Sequence, residues 1–296
     1  MTDQALPLPA RRSSVEKLIK TVGLMRESRI GMFGLALVLF WLILALVAPI
    51  LPLIPPLKQF SSHLLAWPLT EGPDGAYFWL GTDDLGRDLL SRLIWGARRV
   101  FIWAGLATLS AYTTGMFMGV AAGYLGGRWD DVLSFIGNLV MSFPLIVLYL
   151  IIIGRFGATP LNIIVAVTLA TGPQVMRIVR GIVLDLKTRD YIAAAQVRGE
   201  QPLYIMLVEL LPNARGPLIV DACLRMGYVT ITIALLGYLG LGLPPPEPDW
   251  GSMINAAQKF GSFGANAMLW PAIAVSTMVL GLNMLADGLR EISLRD

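Results

Sequence analysis

Two oppositely charged residues four positions apart are the first candidates for chemistry in this chain. Asp221 and Arg225 lie in an otherwise apolar stretch, and a spacing of four places them on one face of a helix. A charge within a membrane helix is a functional candidate because it costs about 2.5–3.5 kcal/mol at the helix centre on insertion scales. Two interpretations stay open: an intramembrane ion pair that only orients its helix, and a direct role in binding a substrate or in gating.

Residue sets typical of enzyme active sites are absent from the sequence. The chain has one histidine, His63, and one cysteine, Cys223, so a His- or Cys-based metal cluster is excluded. It also lacks a GxxxxGK[ST] phosphate-binding loop. We therefore expect no catalytic residue, no cofactor, no metal and no enzymatic activity. Any energy that the protein uses must therefore come from elsewhere.

A polar, charged segment from Thr188 to Pro212 separates two long uncharged stretches. Thr188 is expected to cap a short helix with Asp190 in its first turn, where the helix dipole favours a carboxylate. Gly199 suits the left-handed conformation that follows many helix ends. Pro202 suits the first turn of a second helix that ends at Pro212. The sequence therefore predicts two short helices that meet at a rigid corner.

Small residues give the first of these helices a face that a partner could approach closely. Ala193, Ala194 and Ala195 carry almost no side-chain bulk. Burying several charged residues in hydrocarbon is costly, so the segment is expected to lie in water and to contact another protein there.

The composition is that of a membrane protein. Hydrophobic residues make up 55% of the chain, charged residues 15%, and the mean hydropathy is +0.66. A helix needs about 20 apolar residues to cross the hydrocarbon layer. The apolar runs predict an all-α polytopic protein with six membrane spans, at about 30–52, 100–123, 132–154, 157–177, 217–241 and 266–287.

Basic residues are distributed unequally between the two sides of these spans. Of the 23 Lys and Arg residues, 15 fall on the side of both termini and the Thr188 segment, and seven fall on the other side. Because Lys and Arg favour cytoplasmic loops, both termini are predicted to be cytoplasmic. Residues 1–29 are predicted to form a basic amphipathic segment on the membrane surface, with a disordered basic tail as the alternative.

Glycine and proline mark further features of the spans. Gly115, Gly119 and Gly123 recur every fourth residue, which favours close helix packing within the subunit or against a partner. Four prolines lie in or beside spans and are expected to kink or end them. They are Pro144, Pro160, Pro173 and Pro271.

Several segments together resemble a known family. The Ala-Ala pair followed by Gly199 and a Leu-Leu-Pro that ends at Pro212 is similar to the cytoplasmic EAA loop of permease subunits of bacterial ABC importers. Further matches to the dipeptide, oligopeptide and nickel branch are LGTDDLGRDLLSRLIWGARR (residues 80–99), AGYLGGRWDD (122–131), LGYLGLGLPPPEPDWGSM (236–253) and LNMLADGLRE (282–291). The chain departs from this pattern at Ala193, where the family usually has Glu; Asp190 is the candidate replacement.

The resemblance implies a type I importer permease in the bacterial inner membrane that works by alternating access. It divides the chain into an N-terminal segment (1–29), a first span with its extracytoplasmic loop (30–99) and a core of five spans (100–296) with coupling helices at about 188–211. It also implies residues that couple the chain to an ATPase. They are Asp190, Ala193, Ala194, Ala195, Gly199 and Pro212.

The implied partners are a homologous second permease subunit, two ATP-binding subunits, an extracytoplasmic solute-binding protein and membrane lipid, without nucleic acid. The cargo stays open among dipeptides, oligopeptides, nickel chelates, oligosaccharides, opines and peptide antibiotics. Nothing in the residues decides among these cargos.

Two other classes of protein are alternatives. An ion-coupled secondary transporter would usually show unpaired intramembrane carboxylates and two related halves. Only Asp221 lies well inside a predicted span, and the sequence shows no convincing internal repeat. An intramembrane enzyme would need paired acids or a Ser-based or metal site in the spans, and none stands out.

Overall fold

The structure is a computed structural model that describes residues 28–75, 77–244 and 246–293, and most of these are helical. The helices are α1 (Arg29–Val47), α2 (Leu89–Leu125), α3 (Gly127–Met141), α4 (Leu145–Phe156), α5 (Pro160–Leu186), α6 (Asp190–Val197), α7 (Pro202–Tyr238), α8 (Trp250–Gln258) and α9 (Ala265–Ser293). Two short strands, β1 (Thr70–Glu71) and β2 (Tyr77–Phe78), pair antiparallel. Short 3₁₀ turns lie at Pro73–Gly75 and Gly261–Gly264. The amphipathic segment predicted before α1 lies outside the described residues.

Five of the helices are long and apolar enough to cross a membrane: α1, α2, α5, α7 and α9 with its preceding 3₁₀ turn. The pair α3 and α4 passes the same test together, which gives six spans if the pair counts as one. This confirms the all-α polytopic class. The third span, predicted at 132–154, is broken beside Pro144, which was expected to kink or end a span: α3 and α4 meet at an angle of 86°.

The spans run alternately between two ends of the bundle. We call the end that carries residues 48–88 and 239–264 the loop end. The opposite end carries residues 187–201, and we call it the corner end. At the corner end, Lys187 Nζ donates to the backbone oxygen of Tyr124 at 2.6 Å, which ties the end of α5 to the end of α2.

Glycines allow α2 and α5 to pack in close contact. A Cβ on Gly119 would lie 2.6 Å from the backbone oxygen of Met176 and 2.7 Å from Val179 Cβ, so only glycine fits there. Gly115 and Gly123 make the same kind of contact one helical turn away on either side. The close packing predicted from this stripe is therefore confirmed, and it lies within the subunit.

A second glycine contact joins α1 to α9. A Cβ on Gly34 would lie 2.8 Å from the backbone oxygen of Gly281. Farther along α1, Trp41 Nε1 donates to Thr277 Oγ1 at 3.0 Å. Membrane helices associate through close van der Waals packing, because lipid supplies no hydrophobic force that drives them together. Small residues at the contact allow this close approach.

A buried ionic cluster orders the loop end. Asp83 Oδ2 accepts from Arg87 Nε at 2.7 Å and lies 3.2 Å from Arg92 Nε. Asp88 caps α2 by accepting from the backbone N–H of Ser91 at 2.7 Å. Burial raises the pKa of the Asp88 carboxyl to about 6. The charged residues of this loop therefore mainly stabilise the fold of the loop itself.

Candidate functional site

The predicted coupling segment begins later than the sequence suggested. α6 starts at Asp190, and Arg189 occupies the cap position without a side-chain cap. The cap predicted at Thr188 is wrong, because its hydroxyl donates instead to the backbone oxygen of Asp185 at 2.8 Å. Asp190 lies in the first turn of α6, as predicted.

α6 has one buried and one exposed side. Ile192 and Ala195 are fully buried against the interior of the corner end, where they join Val183, Ile205 and Leu210. Four of the exposed residues share the opposite face: Asp190, Ala193, Ala194 and Val197. We call these four the exposed face of α6. The three alanines therefore do not form one surface, because Ala195 belongs to the core.

Val197 is the residue of this face that the sequence reasoning missed. Its side chain is 89% exposed, although it is apolar. Ala193 and Ala194 leave space beside it, and Leu203 at the start of α7 is also exposed. An exposed apolar surface of this kind is typical of a contact with another protein.

The corner after α6 is closed by backbone and ionic contacts. Gly199 has φ of +77°, and the N–H of Glu200 donates to the backbone oxygen of Ala195 at 3.2 Å. Arg198 reaches across the corner to Glu209 of α7, with Nη2 3.3 Å from Oε1. The left-handed position predicted for Gly199 is present, and it sets the direction of the chain into α7.

α7 does not end at Pro212, contrary to the prediction. It starts at Pro202 and continues through a π-helical segment, Ile205–Leu210, into the fifth span. The N–H of Leu211 donates to the backbone oxygen of Met206, five residues earlier. Proline has no N–H, so Pro212 cannot donate a helical hydrogen bond. The π segment shifts the hydrogen-bond pattern before Pro212, and the helix continues past it. The corner is therefore continuous with a membrane helix.

The electrostatics of the corner end are dominated by local pairs. The Asp185 carboxylate beside Arg189 raises the pKa of that guanidinium, with Oδ2 3.0 Å from Nη2. Burial raises the pKa of the Tyr191 phenol. Among the described residues the buried Tyr191 hydroxyl has no hydrogen-bond partner. Neither group forms a site with catalytic geometry.

The two intramembrane charges of α7 lie together. Arg225 Nε is 3.4 Å from Asp221 Oδ2, and both side chains are nearly buried. Arg225 also donates through Nη1 to Gln174 Oε1 of α5 at 2.6 Å. Tyr112 of α2 donates to the backbone oxygen of Leu218, one turn from Asp221. The pair is thus part of a polar contact among three spans.

We expect Asp221 and Arg225 to act as a pair rather than as two independent ligands. Asp221→Asn or Arg225→Gln alone leaves one charge unpaired in a low dielectric, whereas the double substitution leaves no charge to desolvate. Each single variant should therefore yield less folded, assembled protein than the double variant. The measurement is the amount of assembled protein for all three variants. A double variant at least as impaired as the worse single would contradict the pairing and favour a direct role in the pathway.

A second polar contact, between α3 and α5, was not predicted. Arg177 Nη2 donates to Asn138 Oδ1 at 2.9 Å. One turn closer to the corner end, Arg180 binds Asp130 through two hydrogen bonds of 2.5 and 2.6 Å. The sequence placed Arg177 at the end of a span, and two residues 39 positions apart give no signal in the sequence that they would pair. In the described part of the chain, no group of acids, His or Cys could hold a metal ion.

Comparison with known proteins assigns the family. The family of binding-protein-dependent transport system inner membrane components matches residues 111–296, which is more than half of the chain. The chain belongs to this family. It is an ABC importer permease, a multi-pass inner membrane protein and not an enzyme.

Curated relatives match the permease over most of its length. It is 33% identical to the dipeptide transport system permease protein DppC of Alkalihalophilus pseudofirmus, over 90% of this chain and 86% of the relative. It is 33% identical to the Escherichia coli protein of the same name, over 90% and 89%. It is 36% identical to the glutathione transport system permease protein GsiD of Pectobacterium atrosepticum, over 75% and 74%.

A solved structure supports the fold. A chain of the MetNI methionine ABC transporter, in an inward-facing conformation, superposes with a TM-score of 0.57 at 20% identity. The match covers 70% of the permease and 97% of that chain. This likeness confirms the type I permease architecture.

Proposed function

We propose that the permease carries peptides across the inner membrane in an importer driven by ATP. The peptide cargo is supported by relatives named for dipeptide and glutathione transport, each at least 33% identical over three quarters of the chain or more. The observation that carries the ATP-driven mechanism is the exposed face of α6. It presents small and apolar residues at the end of the bundle, on a helix that continues through a tight corner into a span.

The partners proposed for the permease are a homologous second permease, two ATPase subunits and an extracytoplasmic solute-binding protein. The exposed face of α6 would sit in a groove of one ATPase subunit, with Ala193 and Ala194 allowing close approach and Val197 filling an apolar pocket. Asp190, at the free N-terminus of α6, is the candidate for a charged contact where the family usually has Glu at position 193. Ala195 and Pro212 would support this surface from inside the corner and along α7.

Alternating access is the proposed mechanism. Closure of the ATPase pair would push α6, and the corner at Gly199 would pass that displacement into α7. The corner is closed by the Arg198–Glu209 contact, so α6 and the start of α7 would move together. The pathway would then switch between outward-open and inward-open states.

Transport assays with and without the ATPase subunits test this proposal. Cells that produce the complete complex should accumulate labelled dialanine, and loss of the phosphate-binding lysine of the ATPase subunits should abolish the accumulation. The control is the same ATPase variant with a proton uncoupler added. Accumulation that persists without ATPase subunits and stops with the uncoupler would instead support an ion-coupled secondary transporter.

The proposed orientation places the corner end and both termini in the cytoplasm, because 15 of the 23 basic residues fall on that side. Reporter fusions at residues 1 and 296 measure it directly. A periplasmic signal from either fusion would contradict the orientation.

A further inference from the structure

A cavity of about 320 Å³ lies between α3 and α5, toward the corner end of the bundle. Its polar lining consists of Ser134, Asn138, Arg177 and Arg180, and Met141 and Met176 contribute apolar surface. The cavity is separate from the exposed face of α6, and the Asp221–Arg225 pair does not line it.

Arg177 is the unbalanced charge of this cavity. In the part of the chain that the structure describes, Arg180 pairs with Asp130 and Arg225 pairs with Asp221, but no carboxylate forms an ion pair with Arg177. The hydrogen bond described for the Arg177 guanidinium goes to the neutral amide of Asn138. Arg177 is also exposed. A guanidinium in this position needs water or an anion to solvate it.

The position of Arg177 along α5 bears on how its guanidinium is solvated. Arg177 is 17 residues beyond Pro160, which is about 25 Å along α5 at a rise of 1.5 Å per residue. A hydrocarbon layer of about 30 Å that begins at the first turn of α5 would still include it. With the layer in that position, Arg177 lies at the corner-end border of the spanning region, where the sequence also places the end of the span.

The break between α3 and α4 is a second, independent sign of an aqueous space. Met141, which lines the cavity, is the last residue of α3, and the chain then bends by 86°. The intervening residues Ser142, Phe143 and Pro144 are exposed. Non-helical backbone at membrane depth is tolerated where it is buried in protein or lines a water-filled cavity.

From these observations we propose that the cavity is part of the translocation pathway and that Arg177 and Asn138 bind a carboxylate of the cargo there. Arginine presents paired donors that match the two oxygens of a carboxylate. Asn138 uses its oxygen to accept from Arg177, which leaves its amide N–H groups free to donate to the same anion. Arg180 does not share this role, because Asp130 occupies it. The inference rests on the proposed import function and adds a contact for the cargo.

Charge-selective thiol labelling tests the proposal in the assembled complex. Cys223→Ser removes the native thiol, and Ser134→Cys places a new one in the cavity wall. In inside-out membrane vesicles, an anionic methanethiosulfonate should react at least about fivefold faster than a cationic one, after each rate is divided by the rate with a free thiol. Adding Arg177→Gln should remove this preference, whereas Arg177→Lys should keep it. Ile136→Cys, on the opposite face of α3, is the control and should show no preference.

A second measurement asks whether the anion is a carboxylate. Millimolar dialanine should slow the labelling of Ser134→Cys, and dialanine amide, which lacks the carboxylate, should not. Equal protection by both, or protection by neither, would overturn the carboxylate assignment. If neither reagent reacts at Ser134→Cys, lipid or the second subunit covers the cavity and the pathway assignment fails. ATP-dependent uptake that persists in either case would show that only this inference, and not the proposed function, is wrong.

Discussion

Ala194→Trp in the permease is expected to lower ATP-dependent uptake at least about tenfold while normal amounts of the protein remain in the membrane. Ala194 is exposed and lies between Asp190 and Val197 on the exposed face of α6. A Trp there meets no atom of the buried side of α6, so folding should be preserved. It would hold the ATPase away from the helix, and a loss of about 1.4 kcal/mol in a contact already costs a factor of ten in affinity. Uptake assays, together with quantification of the membrane-inserted chain, measure the effect.

Variants at Ala195 and Gly199 distinguish an effect on ATPase docking from an effect on folding. Ala195 is fully buried, so Ala195→Trp should reduce the amount of folded protein itself. Gly199→Trp should also abolish uptake, whereas Gly199→Asn should retain more activity, because Asn tolerates a φ of +77° better than other residues. Leu169→Trp, on an exposed side of α5, should leave uptake unchanged. Normal uptake by both Ala194→Trp and Gly199→Trp would rule out this surface as the ATPase dock.

Gly119→Leu should prevent α2 and α5 from packing and should remove most of the folded permease. Its Cβ alone would lie 2.6 Å from the backbone oxygen of Met176, and backbone cannot move aside as a side chain can. Overpacking in a well-packed interior costs typically about 1–3 kcal/mol, and a clash with backbone lies at the upper end of that range. The measurement is the fraction of solubilised protein that stays monodisperse after heating.

The same helix offers a matched control. Gly105 also lies in α2, but a Cβ built there meets no atom within 4 Å. Gly105→Leu adds the same side chain and should leave the thermal stability close to that of the natural chain. Equal losses for Gly105→Leu and Gly119→Leu would mean that close packing against α5 does not explain the glycine at position 119.

The glycine stripe shows why part of this fold could be predicted from the sequence. Gly115, Gly119 and Gly123 recur at a helical period, and a period reports which face of one helix is small. It does not report which helix packs against that face. The sequence therefore left open a contact within the subunit or with a partner, and only the position of α5 decides it.

The mispredicted boundaries have a different cause. A kink or helix end was expected at Pro144, but the apolar residues on both sides of it give no signal that α3 and α4 meet at an angle as large as 86°. The prediction that a helix ends at Pro212 rests on the rule that proline normally disrupts the helical hydrogen bonds before it. The π segment Ile205–Leu210 removes that conflict, and short sequences carry no clear signal for it. Among the candidate residues, Asp190 and Gly199 were placed correctly through local rules, whereas the Arg177–Asn138 contact depends on tertiary structure alone.

The continuity of α7 makes it a mechanical lever. It is 37 residues long, or about 55 Å at 1.5 Å per residue. A tilt of about 10° at the corner end would therefore displace the loop end by about 10 Å, which is close to the diameter of a helix. The π segment lies near the driven end of this lever, so an altered register there would rotate every side chain beyond it, including Arg225, about the helix axis. A small displacement at the surface could thus become a change in which residues face the centre of the membrane.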